Sequence, residues 1–204
     1  MPRPRSLTQS QIAAAALAVV DDDGLAALSM RAVAKRLGTS TMALYRYVQD
    51  RHELEGLIVE LVFAGVDPVP PAAGTWQERV AEMARRVRAA IGAHPEAVPL
   101  TMIHRHSSPG LLRWSEGVLE ILAGAGVTGA ARVVALRTLT AQIIGAVQLE
   151  RLGPLAGRGT DAIAALSPQE FPLMAETARE ARSVGDDRVF ERGLAALLRG
   201  LGPS

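Results

Sequence analysis

The segment over residues 29–51 constrains the fold most, because its pattern predicts two short helices joined by a tight turn. Apolar residues recur at helical spacing in the first helix, Ser29 can cap its start, and Gly38 can end it in the left-handed conformation. Thr39 or Ser40 can cap the next helix at once. Helices joined so briefly cross steeply, and in a helix-turn-helix the second one enters the major groove of DNA. The segment therefore predicts a DNA-binding motif.

Several residues of this motif are candidates for contact with DNA. Arg46 is the best candidate for recognising guanine, since a guanidinium can pair bidentately with O6 and N7. Hydroxyls and Tyr phenols more often contact phosphate, whereas Met42 and Ala43 suit a thymine methyl group. Arg31, Lys35 and Arg51 are predicted to contact the DNA backbone. The full predicted set is Arg31, Lys35, Thr39, Ser40, Thr41, Met42, Ala43, Tyr45, Arg46, Tyr47 and Arg51.

Simpler explanations stay open for some basic residues. Lys35 or Arg36 alone would belong to a solvated helix face, whereas Tyr45 and Tyr47 beside an arginine favour DNA contact. The arginines within residues 2–5 could enter a minor groove, but disorder or loose phosphate contact is the commoner fate of such a terminus. The prediction of DNA binding therefore depends on the tyrosines and the arginine between them.

Composition favours an all-helical protein and excludes several kinds of chemistry. The 204 residues contain no cysteine, which excludes disulfides, thiolate metal sites and cysteine nucleophiles. Alanine is abundant and no segment alternates apolar and polar residues persistently, so strands are not expected. No Gly-x-Ser-x-Gly elbow, phosphate-binding loop or dinucleotide fingerprint is present. We therefore expect an all-α protein that is not an enzyme.

Basic residues are concentrated in the motif and are not in general excess. The formal net charge of +1 is small for a nucleic-acid-binding protein, while Glu53, Glu55 and Glu60 follow the motif. No continuous apolar run approaches the roughly 20 residues of a membrane span, and the N-terminus lacks a signal-peptide core. We expect a cytoplasmic protein without a membrane partner.

Proline, glycine and capping residues divide the chain. The predicted segments are a helix-turn-helix domain over 1–50, a connecting helix over 51–66, a proline-containing linker over 67–75 and a second helical domain over 76–204. In the second domain we predict a loop over 155–166 and helices over 76–92, 96–104, 110–124, 129–152, 168–183 and 187–200. Capping pairs mark helix starts at Thr8 with Gln11, Asp50 with Glu53, Thr75 with Glu78, and Ser167 with Glu170. Three aspartates over 21–23 oppose the helix macrodipole, so the first helix is expected to end early.

Residues 28–47, with the run Ala-Leu-Tyr-Arg-Tyr-Val, resemble the TetR family of bacterial transcriptional regulators. The resemblance implies an N-terminal three-helix DNA-binding domain and a C-terminal helical domain for ligand binding and dimerisation. Residues 76–99 look most like the tetracycline-repressor branch. Tetracycline itself is not expected, because Thr101 stands where those repressors have a metal-binding His and only Glu150 corresponds to their acidic residues.

A small-molecule site in the second domain follows from this resemblance. Taken singly, Met and aromatic residues on helices are more often core than pocket. As a group, with Gln142 and Gln148 on an otherwise apolar helix, they favour a lined cavity for an apolar or amphipathic effector. The predicted lining residues are Met83, Met102, His104, His106, Trp114, Gln142, Gln148, Phe171 and Met174.

No metal ion or cofactor is predicted. His104 and His106 suggest a metal, but side chains two residues apart on a helix point about 200° away from each other. They could converge only in an extended stretch, which Ser107 and Pro109 permit without favouring.

The helix predicted over 129–152 is apolar around much of its circumference, whereas a surface helix needs only one apolar stripe. Together with the last helix, it resembles the four-helix dimer interface of the TetR family. Some of these positions can instead serve the core of one subunit. The predicted dimerisation residues are Val133, Leu136, Ile143, Val147, Leu194, Leu197 and Leu198.

The expected function is that of a homodimeric DNA-binding transcriptional regulator, most simply a repressor released from a palindromic operator by a small effector. Such an effector can weaken DNA binding only by its differential affinity for two forms of the protein. Two alternatives remain. The chain could be an effector-independent regulator or activator, or a small-molecule-binding protein with a vestigial DNA-binding head.

Overall fold

The computed structural model describes residues 7–153, 155 and 157–201, and these form helices joined by turns and irregular segments, without a strand. The prediction of an all-α fold is confirmed. Two short 3₁₀ turns lie at Leu25–Ala27 and Pro95–Ala97. The α-helices are α1 (Gln9–Asp23), α2 (Met30–Arg36), α3 (Thr41–Leu44), α4 (Arg51–Phe63), α5 (Trp76–Gly92), α6 (Val98–Ile103), α7 (Pro109–Gly124), α8 (Gly129–Arg151), α9 (Arg158–Ala164), α10 (Pro172–Ala181) and α11 (Asp186–Gly200).

The chain divides into two compact units. The first combines Met1–Pro71 with Arg85–Glu120, and the second combines Ala72–Ala84 with Ile121–Ser204. In the first unit α1 packs against α2 and α4, and α4 contacts α6. The side chains buried there include Ile12, Val33, Leu44, Ile58 and Trp114. Each apolar side chain of this size stabilises the fold by roughly 1.5–3 kcal/mol when it is fully buried.

In the second unit α8 packs against α11, and α9 packs against α10. The side chain of Gln142 on α8 lies next to Gly193 on α11. Within the described residues, α8 is the one helix long and apolar enough by composition to cross a membrane, yet only 22% of its most apolar stretch is buried. The sequence nevertheless contains no continuous apolar run of that length, because Arg137, Gln142 and Gln148 interrupt the apolar residues of α8.

Two of the predicted capping boxes form as expected. The Thr8 N–H donates to Gln11 Oε1 at 3.0 Å, and the Gln11 N–H donates to Thr8 Oγ1 at 3.2 Å. At the start of α5, Glu78 Oε2 accepts hydrogen bonds from the Thr75 N–H at 2.7 Å and from the Thr75 hydroxyl at 2.9 Å. The backbone donor, followed by the hydroxyl, lowers the pKa of Glu78 from its ordinary value of 4.5.

Two predictions for the second unit were wrong. Residues 158–164 form α9 where a loop was predicted; α9 packs against α10, and Asp161 lies 2.6 Å from Arg182 across the two segments. Helix α10 begins at Pro172 rather than near Pro168, so Ser167 and Glu170 lie in a turn before it. Either proline suits a first helical position, and local spacing alone does not choose between them.

The first helix also extends further than expected, through Asp23. Two of the aspartates at its end gain partners that offset the unfavourable helix dipole. Asp22 accepts a hydrogen bond from Arg36 at 2.6 Å, and Asp21 Oδ2 lies 2.8 Å from His94 Nδ1. Gly24 then turns the chain at a φ of 82°.

Candidate nucleic-acid interface

The turn between α2 and α3 contains both hydrogen bonds of a Schellman motif. The Thr39 N–H donates to the Ala34 carbonyl at 3.0 Å, and the Gly38 N–H donates to the Lys35 carbonyl at 3.1 Å. Gly38 has a φ of 64°, which glycine adopts without a Cβ penalty. The Ser40 hydroxyl then caps α3 by accepting from the Ala43 N–H at 3.1 Å. These local contacts fix where the second helix of the motif begins.

The second helix is shorter than the sequence suggested. Regular α-helix ends at Leu44, and residues 45–47 continue as a turn in which the Tyr47 N–H donates to the Leu44 carbonyl at 2.9 Å. Leu44 and Val48 are fully buried and anchor this segment. Residues between these two anchors are therefore held close to the core while their side chains reach solvent.

The solvent-facing side of the segment carries unpaired positive charge. Met42 is 76% exposed, Tyr45 is 47% exposed, and Arg46 is exposed beside them. Among the described residues, none forms a hydrogen bond or ion pair with the guanidinium of Arg46, and the same holds for the side chains of Arg31 and Lys35. This arrangement can present a guanidinium to a base edge and further cations to phosphate.

The remaining predicted contact residues are less free. Thr39, Thr41, Ala43 and Tyr47 are half-buried, whereas Ser40 is exposed and uses its hydroxyl as the helix cap.

Arg51 is engaged within the protein. Its Nη1 donates to the Leu28 carbonyl at 3.0 Å, and its Nε donates to Glu55 Oε1 at 2.7 Å. The arginines of the N-terminal segment lie outside the described residues.

The nine predicted effector-lining residues differ widely in exposure. Met83, His104 and Trp114 are buried core residues, with exposures of 0–3%. Met102, Gln142 and Gln148 are half-buried, and His106, Phe171 and Met174 are exposed. An open groove of about 650 Å³ in the first unit contains none of the nine; Leu17, Leu61, Val62, Arg86, Ala90 and His94 are among its lining residues.

The structure places Thr101 and the two histidines His104 and His106, which the sequence raised for metal binding, in different surroundings. Thr101 is buried, and its hydroxyl donates to the Val98 carbonyl within α6 at 2.7 Å. His106 is exposed, whereas His104 is buried and lies against His52 and Glu55 of α4. Sequence reasoning missed this grouping because its members lie about 50 positions apart.

The predicted dimerisation residues fall into two groups. Ile143, Val147, Leu194 and Leu198 are only 1–2% exposed within the single chain and belong to the packing of α8 and α11. Val133 is 59% exposed, and Leu136 and Leu197 are half-buried. Further apolar side chains of α8 are exposed, namely Val134 and Leu149, and Leu152 is exposed directly after the helix.

Both parts of the chain are similar to known bacterial proteins. Residues 12–54 match the family described as bacterial regulatory proteins, tetR family, and residues 68–203 match the tetracyclin repressor-like, C-terminal domain. The chain is 30% identical to the tetracycline repressor protein class A from transposon 1721 of Escherichia coli, over 96% of this chain and 90% of that protein. It is 29% identical to the HTH-type transcriptional repressor DrrR1 of Streptomyces coeruleorubidus, over 98% of this chain and 78% of that protein.

A solved structure shares the same arrangement of helices. ActR from Streptomyces coelicolor, crystallised in complex with actinorhodin, matches with a TM-score of 0.81 at 28% identity, covering 97% of this chain and 96% of that one.

Proposed function

Because this chain belongs to the TetR family of bacterial transcriptional regulators, we propose that it is a homodimeric repressor that leaves a near-palindromic operator when a small molecule binds. Residues 1–50 would bind DNA, 51–66 would connect the motif to the rest of the chain, 67–75 would serve as linker, and 76–204 would bind the effector and the second subunit. It would act in the cytoplasm, where its DNA lies.

The observation that carries this proposal is the unpaired Arg46 guanidinium, exposed next to Tyr45 at the end of the motif's second helix. Guanidinium pairing with guanine supplies sequence discrimination, whereas Arg31 and Lys35 would supply salt-dependent phosphate contacts. Arg51 would act from behind the interface, since its guanidinium already binds the carbonyl of Leu28.

Dimerisation is supported by the apolar surface that α8 leaves uncovered. Val133, Val134 and Leu149 on α8, with Leu152 directly after it, are between 53% and 84% exposed, and the apolar stretch of this helix is mostly unburied. Water contact with such a surface is unfavourable, and apolar patches of this kind typically mark interfaces. A second copy of the chain would cover this surface. The second helix of each helix-turn-helix would then bind one of two DNA half-sites, which would lie about one helical turn, roughly 34–36 Å, or a small multiple of that distance apart.

An effector is supported by the relatives. ActR, which is 28% identical, has been crystallised with actinorhodin, and DrrR1 and the tetracycline repressor are both named as repressors. The half-buried Gln142 and Gln148 on α8 would offer polar contacts to an apolar or amphipathic molecule. The effector would favour a form of the dimer in which the two DNA-binding helices no longer match the separation of the half-sites. It can weaken DNA binding only by as much as its affinities for the two forms differ.

Replacing Arg46 with alanine tests the DNA-binding part. Fluorescence anisotropy with a duplex taken from the DNA flanking the protein's own gene should show an affinity about 5- to 150-fold lower, corresponding to roughly 1–3 kcal/mol for a bidentate base contact. Arg113→Ala is the matched control, because Arg113 is an exposed arginine on α7, outside the motif. Equal affinities for the Arg46→Ala variant and the wild type would contradict the proposal, as would wild-type binding no tighter than to a scrambled duplex.

Adding actinorhodin to the wild-type complex tests the effector part. Release of the duplex would support effector control, and further apolar compounds can then be ranked in the same assay. DNA binding that no apolar or amphipathic compound alters would instead favour the effector-independent regulator.

A further inference from the structure

Two histidines and a glutamate meet between α4 and the end of α6. His52 and Glu55 lie three residues apart on α4, so their side chains share one face of the helix. His104, directly after the last residue of α6, lies against that face. Its ring centroid is 4.4 Å from that of His52, and its Nε2 is 3.5 Å from Glu55 Oε2.

The imidazole of His104 is buried without a partner for one nitrogen. Its side chain is only 3% exposed, and within the described residues Nε2 forms no hydrogen bond, the approach to Glu55 included. Buried polar atoms are almost always satisfied, because losing water without replacing its hydrogen bond is unfavourable. A ligand that accepts the nitrogen lone pair would remove this defect.

The donor set suits a transition-metal ion. One ligand atom from each of His52, Glu55 and His104 lies within 4.8 Å of the other two. Around a tetrahedral zinc ion with bonds of about 2.0–2.2 Å, ligand atoms lie roughly 3.3–3.6 Å apart. The three groups therefore need to approach by about 1 Å, and the exposed side chain of His52 is free to rotate inward.

We propose that His52, Glu55 and His104 bind a divalent transition-metal ion, with zinc preferred, and that water completes its coordination. Two imidazoles and one carboxylate form an established zinc ligand set, whereas magnesium and calcium prefer oxygen ligands alone. Arg51 donates to Glu55 Oε1 at 2.7 Å and leaves Oε2 facing His104, so the carboxylate is already oriented as a single-oxygen ligand. The bound ion would join α4 to the end of α6 within the first unit.

Zinc affinity of the full chain, measured by competition with a chromogenic chelator, tests the site. We expect one ion per chain, and Co²⁺ in its place should show the visible absorption of a tetrahedral site. His52→Ala and Glu55→Gln should each weaken zinc binding by about 10- to 100-fold or more, since even second-shell losses reach that range. His106→Ala is the matched control, because His106 is exposed and lies outside the cluster.

These variants test zinc binding without unfolding the protein, and the measurement contains no DNA. His52 is exposed and Glu55 is partly so, so neither change removes core packing, and circular dichroism verifies that each variant is folded. Absence of stoichiometric binding by the wild type overturns the proposal. So does zinc affinity that His52→Ala and Glu55→Gln leave unchanged, or that His106→Ala removes. Because no DNA is present, failure here says nothing against the repressor proposal.

Discussion

Replacing Gly110 with alanine tests the close approach of α7 to α4. A Cβ built on Gly110 would lie 2.8 Å from the Cβ of Phe63. Optimal carbon–carbon separation is about 3.5–4.0 Å, so the added methyl would be roughly 0.7–1.2 Å too close. Both atoms are attached directly to the backbone, and no side-chain rotation can relieve the overlap. The two helices would have to separate.

Two opposing effects determine how much Gly110→Ala changes the free energy of unfolding. Overpacking of this kind costs about 1–3 kcal/mol, whereas a glycine-to-alanine change in a compatible helix stabilises by about 0.4–1 kcal/mol. We therefore expect a net loss of about 1–2 kcal/mol. For a chain of this length, 1 kcal/mol shifts the melting temperature by about 2–4 °C, so Gly110→Ala should melt about 2–8 °C below wild type. Thermal unfolding followed by circular dichroism at fixed protein concentration measures this.

Gly124→Ala provides the matched control at the other end of α7. A Cβ there would meet nothing within 4 Å, so the variant should be as stable as wild type or slightly more stable. A Gly110→Ala variant that melts at or above the wild-type temperature would refute the packing argument. An equal loss in both variants would refute it as well, since it would trace the effect to the helix rather than to Phe63.

Two further predictions concern charge and assembly. An NMR titration should place the pKa of Glu78 below its ordinary value of 4.5, and Thr75→Val should raise this pKa partway back because the hydroxyl donor is lost. The stability that this cap contributes is present above pH 4.5 and is lost as the pH falls through the lowered pKa. An unchanged pKa of Glu78 in Thr75→Val would contradict the assignment. If the chain dimerises through α8 as proposed, Leu149→Glu should give a monomer in light scattering, since it would bury a charge in the apolar interface, whereas Val69→Glu, at a position 64% exposed in the linker, should remain dimeric. A dimeric Leu149→Glu variant would place the interface elsewhere.

The helix-turn-helix could be predicted in detail because its determinants are local. Ser29 and Ser40 accept hydrogen bonds from N–H groups three residues along, and Gly38 adopts a positive φ in the turn between them. Each of these effects depends only on residues a few positions away and on Cβ sterics. The same holds for the Thr8 and Thr75 caps.

Features set by tertiary contact could not be predicted. Sequence reasoning compared His104 only with its neighbour His106, whereas the fold buries the first against His52 and exposes the second. It listed Leu194 among the dimerisation residues and left open that some of them serve the core of one subunit; within the single chain this residue is 1% exposed. Apolar periodicity shows that a helix has a buried face but not which element covers that face.

Helix α4 is held at both ends by hydrogen bonds that involve its own charged residues. At its start Arg51 donates to the carbonyl of Leu28, the residue just before the cap of α2. Near its other end Glu60 accepts from the hydroxyl of Ser108, in the segment between α6 and α7. Because a helix is stiff along its axis, a displacement of the Ser108 segment either breaks the Glu60 contact or moves α4. Movement of α4 in turn displaces the Arg51 contact at the edge of the helix-turn-helix, so α4 provides a direct physical connection between these two parts of the first unit.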